Sequence, residues 1–135
     1  KAAEILKEAN IQAEVIDIRS LRPLDTKTIK VSVKKTRKLL VVDSGWMTYG
    51  ISAEIISSVC EAFNKSNLKI NYKRIGLSDT PIPSTRSLTK HAYPHCLSIL
   101  KSVEEIMNIK LTKLIKKYKI YEPSDVPNKN FKGPF

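Results

Sequence analysis

The sequence predicts an α/β domain of three α/β/α layers around a mostly parallel sheet. Three observations carry this. "KLLVVD" (38–43) is an unbroken apolar run of the kind buried on both faces of a parallel sheet. Apolar residues recur at helical spacing on either side of it, in 26–37 and 51–63. A second short strand pattern, "KINYKRI" (69–75), follows the later helix. Strands alternating with helices at these spacings build βαβ units.

Element by element, residues 2–9 place Ala2, Ile5, Leu6 and Ala9 on one helical face, and Asn10 serves as the stop. "AEVIDI" (13–18) carries Val15, Ile16 and Ile18 and reads as a short strand ended by Pro23. Asp25 or Thr26 caps a helix over 26–37, with Ile29 and Val33 on its buried face and lysines around the rest. After the 38–43 strand, "SGWMTYG" (44–50) forms a glycine-flanked loop, with Trp46 covering a core edge. Ile51, Ile55, Val59 and Phe63 then keep strict helical spacing.

Residues 76–96 hold Pro81, Pro83 and Pro94 and form a long ordered connection. Beyond it, Leu97, Leu100, Val103, Met107, Leu111, Leu114 and Tyr118 step by three or four, predicting a long amphipathic helix with Ile109 as its point of breakage. The end, with prolines at 123, 127 and 134, reads as an extended tail.

At 41% apolar and 27% charged residues the composition is that of an ordinary globular chain. No run approaches the roughly 18 apolar residues of a membrane span. Cys60 and Cys96 are too few for a disulfide framework, so the expected compartment is a reducing one, cytoplasmic or the mitochondrial matrix. The N-terminus is amphipathic rather than signal-like and starts in mid-pattern, and the chain reads as a piece of a longer polypeptide.

The net charge is +11. Residues 110–135 hold seven lysines against Glu122 and Asp125, a net of +5, and the other 109 residues contribute +6. Nineteen of the 24 basic residues are lysine, a solvated surface rather than the arginine and interleaved aromatics of nucleic-acid readers. A basic module for nucleic acid or acidic surfaces is kept as the alternative of a different class, to be recognised by a salt-dependent probe shift.

Candidate chemistry is sparse. In "HAYPHC", His91 and His95 stand four apart beside Cys96, but Pro94 interrupts the helix that would align them, and no further pair completes a metal set. Cys60 reads as a buried structural thiol. "SGWMTYGIS" lacks both the P-loop and the dinucleotide spacing. Asp17, Asp25, Asp43 and Asp79 lie near strand ends, where ligands of open α/β sheets gather, yet no companion base or nucleophile stands with them. From the residues alone no catalytic, cofactor-binding or metal-ligating set is assigned.

Four ordered blocks carry a family resemblance: "D-x-R-S-L-R-P-L-D-x-x-T-I" (17–29), "S-V-K-K-T-x-K-L-L-V-V" (32–42), "G-x-x-A-E-I" (50–55), and "D-T-P-I-P" (79–83) leading to "L-T-K-x-x-Y-P" (88–94). Over residues 1 to about 108 the chain resembles the C-terminal domain of the beta subunit of 2-oxo acid dehydrogenase decarboxylase components, pyruvate or branched-chain, of the transketolase superfamily. The resemblance implies a transketolase C-terminal-like domain over 1–108, its first strand lying upstream, and a helix end with a tail over 109–135. It further implies an assembly role within a heterotetramer, with an alpha subunit and a second beta subunit as partners and the subunit-binding domain of the lipoyl acyltransferase docked. Thiamine diphosphate and magnesium would be bound outside this chain, which would be inactive alone. Such subunit-binding domains tend to be basic, and the +11 charge sits awkwardly with that, so no docking residues are carried over. The "LRPLD" corner is shared among superfamily relatives, so the equivalent domain of another member stays open; the 79–94 connection favours the dehydrogenase. Arg19, Arg22, Pro23 and Asp25 read as a strand-to-helix corner. Pro23 stiffens the turn, Asp25 caps, and at least one arginine pairs with a carboxylate, within the chain or across the beta–beta interface.

Overall fold

The computed structural model describes residues 1–66, 68–85, 88–89 and 92–118. Helix α1 (Ala2–Lys7) opens the chain. It ends at a turn in which Asn10 adopts φ 57°, the left-handed conformation that asparagine tolerates better than most residues. Ile5 and Leu6 are buried.

Helix α2 (Thr26–Thr36) buries Ile29 and Val33, as the spacing predicts, and ends on a left-handed Arg37. Strand β1 (Lys38–Trp46) follows at once. Helix α3 (Ile51–Phe63) is the crossover to strand β2 (Asn71–Leu77), which lies parallel to β1 with Lys38 opposite Asn71 and Val42 opposite Ile75. A crossover of this length is what parallel neighbours require. Leu39 and Val41 meet Ile29 and Val33 of α2 and Ile55 and Val59 of α3 in one apolar core.

The register shifts between Val42 and Trp46, so β1 carries extra residues opposite Gly76. Close approach explains the glycine: a Cβ on Gly76 would lie 2.7 Å from the Gly45 carbonyl oxygen. The 44–50 loop is accordingly shorter than expected, because the strand continues through Trp46 and the Met47 N–H still donates to the Leu77 carbonyl at 3.0 Å. Gly50 starts α3 under the same constraint, since a Cβ there would stand 1.9 Å from the Trp46 carbonyl oxygen.

Helix α4 (Cys96–Met107) packs against both strands and against α1. Leu100 is fully buried and joins Ile5, Leu6 and Leu111 in a second core. Two separate apolar cores result, the first between the sheet, α2 and α3 and the second among α1, α4 and the residues after it. Asn71 Nδ2 donates to the Ile106 carbonyl at 3.3 Å, and Lys73 pairs with Glu105, tying α4 to β2.

One expectation is narrowed and one corrected. The C-terminal helix is divided beside Ile109, so that it forms two helices rather than one long one: α4 ends on Asn108 at φ 52°, whose N–H bonds back to the Glu104 and Glu105 carbonyls, and α5 (Thr112–Lys117) restarts after it. The Leu111 N–H donates to the Glu104 carboxylate across the break. The apolar stripe survives the interruption because Leu111 and Leu114 still reach the second core. Residues 13–18 form no strand. Only Ile18 packs against the first core, while Val15 is 77% exposed, and no ladder pairs the segment among the described residues. An apolar composition is not sufficient for a strand; a hydrogen-bonding neighbour is needed. The tail expected over 119–135 lies outside the described residues.

Gly50→Ala should destabilise the fold by about 3 kcal/mol, the upper range for forcing atoms into a packed site. The check is urea denaturation followed by circular dichroism; an unchanged midpoint contradicts the close approach.

Candidate functional site

The corner over residues 17–28 is built from short-range bonds. Arg19 Nε donates to Asp17 Oδ2 at 3.3 Å, with both side chains largely exposed. Leu21 and Leu24 form an isolated antiparallel bridge that closes the turn, and the Arg22–Pro23 peptide inside it is cis. Leu24 packs on the first core, while Leu21, Arg22 and Pro23 face solvent. Asp25 is the N-cap of α2: its Oδ1 accepts from the Thr28 N–H at 3.0 Å and its Oδ2 from the Thr28 hydroxyl at 2.6 Å. The Thr28 hydroxyl and N–H hold the Asp25 carboxyl below the usual carboxylate range. Arg19 therefore has an intrachain carboxylate, and Arg22 has no ion pair among the described residues.

At the carboxyl ends of the two strands, where an α/β ligand site would be sought, the polar groups are engaged with one another. Asp43 Oδ1 accepts from the Gly45 N–H at 3.0 Å. The Thr48 hydroxyl donates to Asp79 at 2.6 Å, fastening the 76–96 connection to the β1–α3 loop. Arg74 Nη1 donates to the Met47 carbonyl at 2.6 Å. Beside them, Met47, Ala53, Ile56, Tyr72 and Arg74 line an open groove of about 590 Å³. Trp46 is 52% exposed and Tyr49, at φ 56°, fully so, which puts two aromatic rings at the surface here.

The four aspartates noted in the sequence thus divide into separate local tasks: a turn pair, a helix cap, a strand-end turn and a loop tether. Among the described residues no three His, Cys, Asp or Glu side chains converge as a metal set. His95 is exposed and its Nδ1 lies 3.3 Å from the Tyr93 carbonyl oxygen, whereas Cys96 packs into the second core; His91 lies outside the described residues. Cys60, expected to be buried, is exposed, because the position after Val59 turns about 100° away from the core stripe.

A further cluster escaped the sequence. Glu8, at the end of α1, accepts from Lys117 Nζ at 2.7 Å and from the Tyr118 hydroxyl, clasping α5 to α1. These residues stand 109 and 110 positions apart, so no local pattern could announce them. Hydrogen bonds from Lys117 and then Tyr118 hold the Glu8 carboxyl low, and Glu8 in turn raises Lys117 and Tyr118.

The model of the family described as "Transketolase, C-terminal domain" matches residues 1–99. The chain belongs to the transketolase C-terminal domain family. Among curated relatives, it is 42% identical over 104 residues to the pyruvate dehydrogenase E1 component subunit beta, mitochondrial, of Pisum sativum, covering 77% of this chain and 29% of that protein. The Saccharomyces cerevisiae protein of the same name is 40% identical over 110 residues, 81% of this chain and 30% of the relative. The pyruvate dehydrogenase E1 component subunit beta of Rickettsia felis is 40% identical over 106 residues, 78% of this chain and 32% of the relative. The chain therefore spans about a third of the length of the relatives it matches.

The transketolase C-terminal domain should lose two restraints on acidification. Asp25 and Glu8 have depressed folded-state values, so their stabilisation is present above the unfolded-state values of about 3.9 and 4.3. It disappears as pH falls through the lower folded values. Lys117, raised by Glu8, acts oppositely: its share is lost only as pH rises through its raised value, above about 10.4. Hydrogen exchange should show α5 amides losing protection first in Glu8→Gln at neutral pH, with α2 unchanged. Equal protection of α5 in the variant and the parent contradicts the clasp.

Proposed function

We propose that this chain serves as the C-terminal assembly domain of the beta subunit of a thiamine-diphosphate-dependent 2-oxo acid dehydrogenase, pyruvate or branched-chain. The observation that carries the reading is the family match over residues 1–99 together with about 40% identity to pyruvate dehydrogenase beta subunits. In this reading the domain supports association with an alpha subunit and a second beta subunit and helps dock the lipoyl acyltransferase. The compartment would be the mitochondrial matrix, the Pisum and Saccharomyces relatives being named mitochondrial, or a bacterial cytoplasm.

The local chemistry supports an assembling rather than a reacting role. Thiamine diphosphate requires a magnesium ion held by converging oxygen donors. The described residues do not fit that need: Asp17, Asp25, Asp43 and Asp79 are dispersed, and each is occupied by Arg19, Thr28, Gly45 or Thr48. The cofactor and its carbon–carbon bond cleavage therefore belong, on this reading, to other polypeptide of the intact enzyme, and this chain on its own is inactive. What the domain offers is a surface. The exposed Leu21, Arg22 and Pro23 project from a corner whose base is fixed by Leu24 in the core and by the Asp25 cap. A guanidinium with no carboxylate partner among the described residues is suited to a bidentate bond with an acid of a neighbouring subunit.

In the assembled heterotetramer, Arg22→Ala should weaken association by about ten-fold, the scale of losing one interfacial charge pair. Turnover per assembled active site should stay unchanged. Sedimentation across a dilution series, paired with single-turnover decarboxylation, measures both. An association constant equal to that of the parent, or a loss of turnover per assembled site, counts against the proposal.

A further inference from the structure

We propose that the outer edge of β2 takes up an extended, acidic segment of a partner protein as an added strand. This goes beyond the assembly role above and does not rest on it.

β1 is the neighbour of β2 on one side, and among the described residues no strand pairs with it on the other. Two bonds fix which peptide groups face which way. The Asn71 N–H donates to the Arg37 carbonyl at 3.1 Å, and the Leu77 carbonyl accepts from the Met47 N–H at 3.0 Å, so the odd-numbered residues face β1. The N–H and C=O of one strand residue point the same way and alternate along the strand, so those of Tyr72 and Arg74 point outward. An outward row of donors and acceptors is a template for one more strand, whereas a helix has spent its own backbone groups internally.

Side chains beside the edge set the chemistry of the occupant. The open groove of about 590 Å³ is lined by Met47, Ala53 and Ile56 beside the consecutive strand residues Tyr72, Lys73 and Arg74, and no carboxylate lines it. Tyr72 and Arg74 stand opposite Leu39 and Val41 and share their face, toward α3. Lys73 points to the other face, where its ammonium is committed to Glu105, and Asp79 is bonded to Thr48, the remaining lining residue. The half-buried Arg74 gives one N–H to the Met47 carbonyl and makes no ion pair among the described residues. Its remaining N–H groups suit a carboxylate, and Met47, Ile56 and the half-exposed Tyr72 ring suit apolar side chains on either side of it.

A second copy of this edge does not fit. Antiparallel pairing centred on Arg74 sets one Arg74 against the other, and like charges directly opposite destabilise a sheet. Every residue of Asn71–Leu77 is neutral or basic, so no other register supplies a carboxylate. The occupant is a strand of a different protein, with Glu or Asp at one position and apolar residues two before and two after it, which share its face.

The test uses the full chain and a fluorescein-labelled peptide with a central glutamate, valines two residues to each side of it and threonines between. Its control has lysine in place of the glutamate. Anisotropy should show saturable binding of the glutamate peptide alone. Hydrogen exchange should show the Tyr72 and Arg74 amides gaining protection on binding, while those of Asn71 and Lys73, which face β1, change little. Arg74→Gln, which keeps a donor for the Met47 carbonyl, should weaken binding about ten-fold, while Lys113→Glu with Lys116→Glu on α5 leaves it within about two-fold. Should Arg74→Gln fail to fold by circular dichroism, Tyr72→Pro removes one outward N–H and no bond to β1, and carries the same expectation. The proposal is overturned by an absence of binding at low ionic strength, by equal binding of the lysine peptide, or by binding that leaves the Tyr72 and Arg74 amides exchanging as before. Protection of those amides in the chain alone, rising with protein concentration, also overturns it, since a second copy would then occupy the edge.

Discussion

The parallel pairing of Lys38–Trp46 with Asn71–Leu77 is the constraint on which the rest of the domain depends. Parallel neighbours cannot be joined by a tight turn, so the chain between them must leave the sheet, cross it and return. α3 does this, and its stripe of Ile55 and Val59 meets Val41 on the way. The same pairing brings the ends of both strands together, where the Gly45 carbonyl oxygen lies too close to Gly76 for a side chain there. From that pinch the β1–α3 loop emerges with Arg74 holding Met47 and Asp79 holding Thr48. The geometry of the site where ligands would be expected is therefore already used to keep the two strands and their loops in register.

That use of polar groups links the fold to the functional reading. A reacting site keeps donors and acceptors aimed at a space that a substrate will fill. Here the aspartates aim at backbone amides, threonine hydroxyls and a neighbouring guanidinium, while Arg22 makes no ion pair among the described residues. On the proposed reading, a domain organised in this way contributes surface and rigidity. The charge of +11 sharpens the point, since unmatched lysines make association sensitive to the acids of whatever surface meets them.

Local signals in the sequence were legible where local physics decided the outcome. Asp25 before Thr26–Thr36 needs only its own side chain and Thr28 to cap a helix, and α3 runs over Ile51–Phe63 as its stripe required. Asn10 and Asn108 both stop helices in the left-handed conformation; the first was legible as a stop, and the second sits beside the break expected near Ile109 although the apolar repeat runs straight through it. "AEVIDI" failed as a strand because strand formation depends on a neighbour that the segment's own residues cannot supply. Cys60 was misjudged by one position on a helix wheel. The Glu8–Lys117–Tyr118 clasp was invisible because contacts between chain ends have no period. The corner at Arg19 and Arg22 was recognisable as a motif, but which arginine found a carboxylate was settled only by folding.

The central claim is that this domain joins subunits while the cofactor chemistry lies on other polypeptide. Isothermal titration of the purified chain with thiamine diphosphate and magnesium tests it most directly. The account predicts no saturable heat at millimolar cofactor. A stoichiometric binding isotherm, with or without added pyruvate, would contradict it.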